Sequence, residues 1–120
     1  MEKFDVTWKV FCMYILILIL MICVGTAKAQ MQVLVFNAAW NSANDVEWAF
    51  ELDDIKTYSY VDISKDTELQ KKHKIAVVPT IIIFKDDIEV ARFQADLSFK
   101  MIATKEEVQE EIDNQLMSDF

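Results

Sequence analysis

Apolar runs alternate with helix-like segments along the chain after residue 30. Two of these runs, Met31 to Asn37 and Thr80 to Phe84, are almost continuously apolar and rich in β-branched residues. Such runs are typical of strands that are covered on both faces. Tyr58 to Ile63 has the composition of a further strand, and Ile88 to Phe93 follows the turn Asp86-Asp87 as a return strand. The pattern therefore predicts four strands, of which the last two form a hairpin.

Three other segments have helical spacing or helix-capping residues. The first covers about residues 42–52, where apolar positions recur at helical intervals. The second covers about residues 67–74, and the third begins at Thr104, which has Glu107 three residues further on as in a capping box. The buried stripe expected on this third helix is Val108, Ile112 and Leu116. The alternative caps for the second helix are Ser64, Asp66 and Thr67.

The order of elements is β-α-β-α-β-β-α, which predicts one α/β domain with a mixed four-stranded sheet flanked by helices. The first two strands, separated by a helix, should be parallel and joined by a right-handed crossover. The hairpin turn contains no glycine. We therefore expect Asp87 or its neighbour to adopt a positive φ, which aspartate tolerates better than most residues.

The chain begins with the features of a secretory leader. Val10 to Val24 contains fifteen uncharged residues, follows a basic start and precedes the motif Ala27-Lys28-Ala29. A basic start, a short apolar run and a site with two small residues are typical of a signal peptide. We predict a signal peptide over residues 1–29 and a domain over residues 30–120 that is periplasmic or secreted.

Two alternatives to a cleaved leader remain. Residues 10–24 can stay in place as an anchor, which would leave an acidic structural module at a membrane surface, although a span requires about 20 apolar residues. Translation can instead begin at Met31, which would leave the domain in the cytoplasm.

Charge and cysteine content narrow the functions open to the processed domain. The 91 residues after Ala29 carry nine Lys or Arg and eighteen Asp or Glu, a net charge of −9. Such a domain repels phosphate backbones, so we expect no nucleic-acid partner. Both cysteines, Cys12 and Cys23, lie in the leader. The processed domain therefore has no disulfide and no thiolate nucleophile, and we expect a monomer stabilised by its core.

Two segments carry a resemblance to a known family. VLVFNAAWNSAND followed by KIAVVPTIIIFKDDIEVARF resembles the thioredoxin family, whose pattern is a strand, then W-C-x-x-C opening a helix, and later I-P-T before a hairpin. The resemblance covers nearly all of residues 31–117, without the strand and helix that open a full-length thioredoxin. It implies a thioredoxin-like fold and a cis bond between Val78 and Pro79.

The catalytic residues of that family are not present. Asn41 and Asn44 stand where the resemblance places the attacking and resolving cysteines, and Asp45 stands where the family often has lysine. Thiol–disulfide exchange requires a thiolate and a second thiol, and a carboxamide cannot replace either. We therefore expect no enzymatic activity, no catalytic residue and no cofactor.

The resemblance also implies a peptide-binding groove beside the cis-proline. In the family, the backbone of the residue before the proline holds an extended peptide in β-like fashion. A helix N-terminus beside it would add free N–H groups. We predict a site for a protein or peptide partner made of Trp40, Asn41, Ser42, Asn44, Val78 and Pro79. The simpler roles for these residues are a cover for the sheet end at Trp40 and helix caps at Asn41 and Ser42.

Several single residues and acidic pairs have other interpretations. Ser42 resembles the hydroxyl that polarises a bound thiol in glutathione-handling relatives, but the chain lacks the additional helical domain of those enzymes. His73 is the single histidine and lies in a lysine-rich helix end, where it should complement the helix dipole rather than bind metal. We expect no metal site and read the acidic pairs as solvated surface. Trp48 and Phe99 are candidates for an exposed apolar patch.

Overall fold

The computed structural model describes residues 7–16 and 29–118. Within residues 29–118 it has four strands: β1 is Met31–Asn37, β2 is Thr57–Asp62, β3 is Thr80–Lys85 and β4 is Ile88–Gln94. The α-helices of this range are α1, Thr67–Lys72, and α2, Lys105–Met117. Two 3-10 helices, Ala39–Asn44 and Glu47–Glu51, lie between β1 and β2.

The four strands form one mixed sheet in the order β2-β1-β3-β4. β1 is parallel to β2 and antiparallel to β3, and β3 is antiparallel to β4. In this register, Val35 of β1 lies between Tyr60 of β2 and Ile81 of β3. The predicted mixed four-stranded sheet and its parallel first pair are therefore confirmed.

The core lies on both faces of the two central strands. On one face, Val35 and Ile81 pack with Val108 and Ile112 of α2. On the other face, a second cluster covers the sheet and consists of Phe36, Ile75, Val78 and Ile82, with Leu69 of α1 packed against it. Burial on both faces explains why β1 and β3 read as continuous apolar runs rather than as alternating ones.

The predicted helix over residues 42–52 is wrong as a single α-helix. Two 3-10 helices replace it, and the chain is extended at Asp45, with φ −57° and ψ 143°. Asn37 and the Tyr60 hydroxyl both donate hydrogen bonds to the Asp45 carboxylate, and Val46 is buried in the core. These contacts with β1 and β2 stabilise the interruption of the helix at Asp45. The helical spacing of the local sequence gives no sign of them.

The capping and turn predictions have clear outcomes. The Thr104 hydroxyl accepts a hydrogen bond from the Glu107 amide over 3.2 Å, as predicted for the start of α2. Of the alternative caps for α1, the structure uses Asp66, which accepts from the Leu69 amide over 3.1 Å.

In the hairpin turn both aspartates, Asp86 and Asp87, have positive φ, at 50° and 68°. The prediction for the glycine-free turn is confirmed.

The predicted leader lies largely outside the described residues. Residues 7–16 are helical and exposed, whereas 1–6 and 17–28 are not described. No helix within the described ranges is long and apolar enough to span a membrane. The signal peptide and its cleavage after Ala29 stay predictions.

Candidate functional site

The loop before β3 places its proline at the end of the sheet, beside the first 3-10 helix. The Val78–Pro79 peptide bond is cis. The Thr80 hydroxyl donates to the Val77 carbonyl oxygen over 2.6 Å, and the Pro79 carbonyl oxygen accepts from the Ala95 amide over 3.0 Å. Val78 and Pro79 are both buried. Two hydrogen bonds therefore fix the loop, one within the loop itself and one from the residue that follows β4.

Asn41 is the centre of a buried hydrogen-bond network at this loop. Its side chain is inside the protein, since the residue is only 4% exposed. Its amide nitrogen donates to Asn37 Oδ1 over 3.0 Å and to the Phe99 carbonyl oxygen over 3.1 Å. Its Oδ1 accepts from the Asn44 amide over 2.9 Å. One side chain therefore joins β1, the first 3-10 helix and the loop after β4.

Asn37 and Asp45 extend this network toward β2, and the sequence prediction missed both of them. Asn37 is fully buried, and its amide nitrogen donates to the Asn41 carbonyl oxygen over 3.3 Å and to the Asp45 carboxylate. The Tyr60 hydroxyl donates to the same carboxylate over 3.2 Å. Burial, followed by the negative charge of Asp45, raises the pKa of Tyr60 to about 12. The available sequence signal was an amide at the end of an almost continuously apolar, buried strand.

The structure places three residues of the expected groove inside the fold. The Val78 carbonyl oxygen was expected to face a bound peptide, but it lies 3.5 Å from the Asn41 amide nitrogen and is buried with it. The helix that begins there is a six-residue 3-10 helix, Ala39–Asn44, and not the longer α-helix that was expected. Asn41, Val78 and Pro79 are therefore parts of the internal framework. A surface with exposed side chains lies next to them.

That surface is formed by two aromatic rings, which we call the Trp40–Phe99 face. The rings meet edge to face, with their centroids 5.1 Å apart and an interplanar angle of 89°. Trp40 is 64% exposed and Phe99 is 41% exposed. The Phe99 amide donates to the Asp96 carbonyl oxygen, and hydrogen bonds from Ser98 lower the pKa of Asp96. This tight turn holds Phe99 at a φ of 63°.

The remaining predicted polar residues of the site differ in accessibility. Ser42 is exposed, whereas Asn44 is half-buried and donates to Asn41. Of the two residues proposed for an apolar patch, Phe99 belongs to the face and Trp48 packs against the core. Within the described ranges, no group of three His, Cys, Asp or Glu residues is arranged to hold a metal ion.

His73 lies away from this face, at the end of α1. Its ring centroid is 5.5 Å from that of Phe36 and 5.5 Å from that of Phe84. Burial, and then the nearby charges of Lys72 and Arg92, lower its pKa. The packing of the ring against two phenylalanines and the lowered pKa both favour its neutral form. The lysines in the last turn of α1 supply the positive charge that the sequence suggested for His73.

Comparison of the sequence with protein-family models and with curated proteins gives no match. Several solved thioredoxin structures are similar to the chain. A mutant thioredoxin from Halobacterium salinarum NRC-1 matches with a TM-score of 0.57 and 17% identity over 72% of this chain and 75% of that one. Thioredoxin 1 from Thermosipho africanus TCF52B matches with a TM-score of 0.56 and 17% identity, over 73% and 97% of the two chains. Thioredoxin-2 of a malaria parasite matches with a TM-score of 0.53 and 22% identity, over 74% and 86%. The chain has a thioredoxin-like fold.

Proposed function

We propose that residues 30–120 form an exported, redox-inactive thioredoxin-like domain that binds a protein or an extended peptide at the Trp40–Phe99 face. One observation carries this proposal. The two side chains at the family's cysteine positions are amides that hydrogen-bond to each other, with Asn41 buried and Asn44 half-buried, while the indole beside them is 64% exposed.

Redox inactivity follows from the chemistry of the side chains. Disulfide exchange begins with attack by a thiolate, and a carboxamide is neither ionised near neutral pH nor nucleophilic. Residues 30–120 contain no cysteine, because Cys12 and Cys23 both belong to the leader. Asn41 also donates both of its amide hydrogens within the fold. The role that we infer for Asn41 is therefore structural and not catalytic.

Recognition by the face follows from its exposure and its rigidity. Aromatic side chains that are partly exposed and held in place contribute most to binding when a partner excludes water from them. The Asn41 side-chain amide donates a hydrogen bond to the Phe99 carbonyl oxygen and so fixes the backbone of Phe99. The Phe99 ring in turn packs against the Trp40 ring. Leu97 of the same loop is 92% exposed and is a further apolar side chain open to solvent. We expect a partner segment with an apolar side chain that covers the indole.

A selection from a displayed library of extended peptides tests binding. Peptides are selected on the full-length chain in uncharged detergent, and their affinities are measured for the chain and for Trp40→Ala. The matched control is Ile88→Ala, because Ile88 is 67% exposed on the distant hairpin. We expect Trp40→Ala to weaken the selected peptides about tenfold or more, as is usual for an aromatic anchor, and Ile88→Ala to change little. Equal losses in the two variants would show that the face is not the binding surface.

Two further measurements test export and redox inactivity. Mass spectrometry of the protein made in its natural cell should find an N-terminus at Gln30, and retention of residues 1–29 or a start at Met31 would contradict export by cleavage. The processed protein should not accelerate the reduction of insulin by dithiothreitol. Thiol-dependent turnover above the rate with dithiothreitol alone would refute the proposal of redox inactivity.

A further inference from the structure

A second surface feature lies between the second 3-10 helix and β2. It is a pocket of about 620 Å³. Its lining includes three carboxylates and four aromatic side chains: Asp45, Glu47, Glu51, Trp48, Phe50, Tyr58 and Tyr60. No Lys, Arg or His is among the described residues that line it. The pocket therefore combines negative charge with aromatic rings, and this combination matches a cation on an aliphatic stem.

The three carboxylates of the pocket differ in the hydrogen bonds and ion pairs that they make. Asp45 Oδ1 accepts hydrogen bonds from Asn37 and Tyr60, which orient the carboxylate. Glu51 is 3.3 Å from the Lys105 ammonium and is partly neutralised by it. Glu47 has no ion pair with any described residue. Asp45 and Glu47 thus supply the negative charge that a ligand would meet.

The pocket adjoins an open edge of the sheet. In the described part of the chain, β2 ends the sheet and has a strand on one side only. Tyr58 and Tyr60 are two residues apart, so both side chains lie on the same face of β2 and both line the pocket. A strand added along this edge would lie about 4.8 Å from β2. Its side chains on that face would then be within reach of the pocket.

We propose that β2 and this pocket form a second binding site, which takes an extended basic segment of a partner protein. The segment adds a strand to β2 through main-chain hydrogen bonds and places an arginine in the pocket. The guanidinium stacks on the aromatic rings and donates hydrogen bonds to Asp45 and Glu47. The net charge of −9 on the domain favours the approach of such a segment. This site does not depend on binding at the Trp40–Phe99 face.

The probe is a synthetic eight-residue peptide of alternating threonine and arginine, titrated into the full-length chain in uncharged detergent by calorimetry. Its matched control replaces arginine by citrulline, which keeps the shape and removes the charge. A third peptide keeps arginine but carries N-methyl groups on alternate backbone amides, which removes main-chain donors. On the protein side, Glu47→Gln is compared with Glu68→Gln, since both residues are exposed and each change removes one negative charge.

We expect the citrulline peptide to bind at least about tenfold more weakly than the arginine peptide. The N-methylated peptide is made in two forms, with methyl groups on the odd or on the even amides, and we expect the form that blocks the amides facing β2 to show the same loss. Glu47→Gln should weaken the arginine peptide about fivefold, while Glu68→Gln and Trp40→Ala leave its affinity unchanged. Equal binding of the arginine and citrulline peptides would overturn the proposal. So would equal effects of Glu47→Gln and Glu68→Gln, because attraction would then follow net charge alone. No binding of the arginine peptide would overturn it as well.

Discussion

The side-chain amide of Asn41 donates a hydrogen bond to the Phe99 carbonyl oxygen over 3.1 Å, across a separation of 58 residues. The ring of Phe99 in turn meets the ring of Trp40, the residue before Asn41, in an edge-to-face contact. The buried network and the exposed aromatic face are therefore linked through one residue. This thioredoxin-like scaffold thus carries an exposed apolar surface directly beside its buried amides.

Replacement of Asn41 by alanine should destabilise the protein by about 1–3 kcal/mol, because it leaves buried polar groups without partners. The groups concerned are Asn37 Oδ1, the Asn44 amide and the Phe99 carbonyl oxygen. Equilibrium urea unfolding, followed by tryptophan fluorescence, measures the change. Ser42→Ala, on the exposed neighbour, should change the free energy of unfolding by less than about 0.5 kcal/mol. Equal effects of the two changes would show that the network contributes no stability.

Arg92 should stabilise the end of α1 through backbone carbonyls rather than through its ion pair. Its guanidinium donates to the His73 carbonyl oxygen over 2.7 Å and to that of Lys74 over 3.2 Å. We expect Arg92→Ala to lower the free energy of unfolding by about 1–2 kcal/mol, since hydrogen bonds to a charged group are lost.

Glu89→Gln is the matched control for Arg92. It removes the ion pair between Glu89 and Arg92, at 2.7 Å, and leaves the carbonyl contacts in place. Exposed ion pairs contribute about 0–1 kcal/mol, so this change should cost less than Arg92→Ala. The order of the two losses in urea unfolding decides the matter, and a larger loss for Glu89→Gln would assign the stabilisation to the ion pair.

The sheet was predictable from the sequence, whereas the network was not. β1 and β3 are buried on both faces, and strands of this kind have nearly continuous apolar sequences that can be recognised directly. The position of Asn41 depends on Phe99, far along the chain, in a loop that has no local pattern pointing back to the site.

The break at Asp45 shows the same limit. An aspartate near a helix start favours the helix locally, and the apolar spacing around it is helical. Asn37 and Tyr60, which lie on neighbouring strands, bind the Asp45 carboxylate and override that preference. Local rules therefore give the elements of this domain, while contacts between elements give the geometry of its site.

His73 should make stability depend on pH in the acid range. Its pKa in the folded protein is lowered below the usual value near 6.5, so the unfolded chain binds more protons in the window below that value. Stability contributed by the neutral ring is present above pH 6.5 and is lost as the pH falls through the folded pKa. His73→Phe keeps an aromatic ring against Phe36 and Phe84 and removes the titration.

The measurement for His73 is urea unfolding of the protein and of His73→Phe between about pH 5 and 7.5. The difference between their free energies of unfolding should shift in favour of the unmodified protein as the pH rises. Carboxylates titrate in both proteins and cancel in this difference. A difference that does not vary with pH would show that the environment of the ring does not favour its neutral form.

The hairpin turn offers a stabilising change. Asp87 has a φ of 68°, a conformation that aspartate tolerates better than most residues with a Cβ but that glycine adopts freely. Asp87→Gly should therefore raise the free energy of unfolding by about 0.5–1 kcal/mol. Asp86→Gly removes the same charge at a φ of 50°, but it also removes the carboxylate that accepts from the Gln30 amide over 3.0 Å. Urea unfolding should thus show a gain for Asp87→Gly and a smaller gain or a loss for Asp86→Gly. The reverse order would mean that the carboxylate of Asp87, and not that of Asp86, supports the turn.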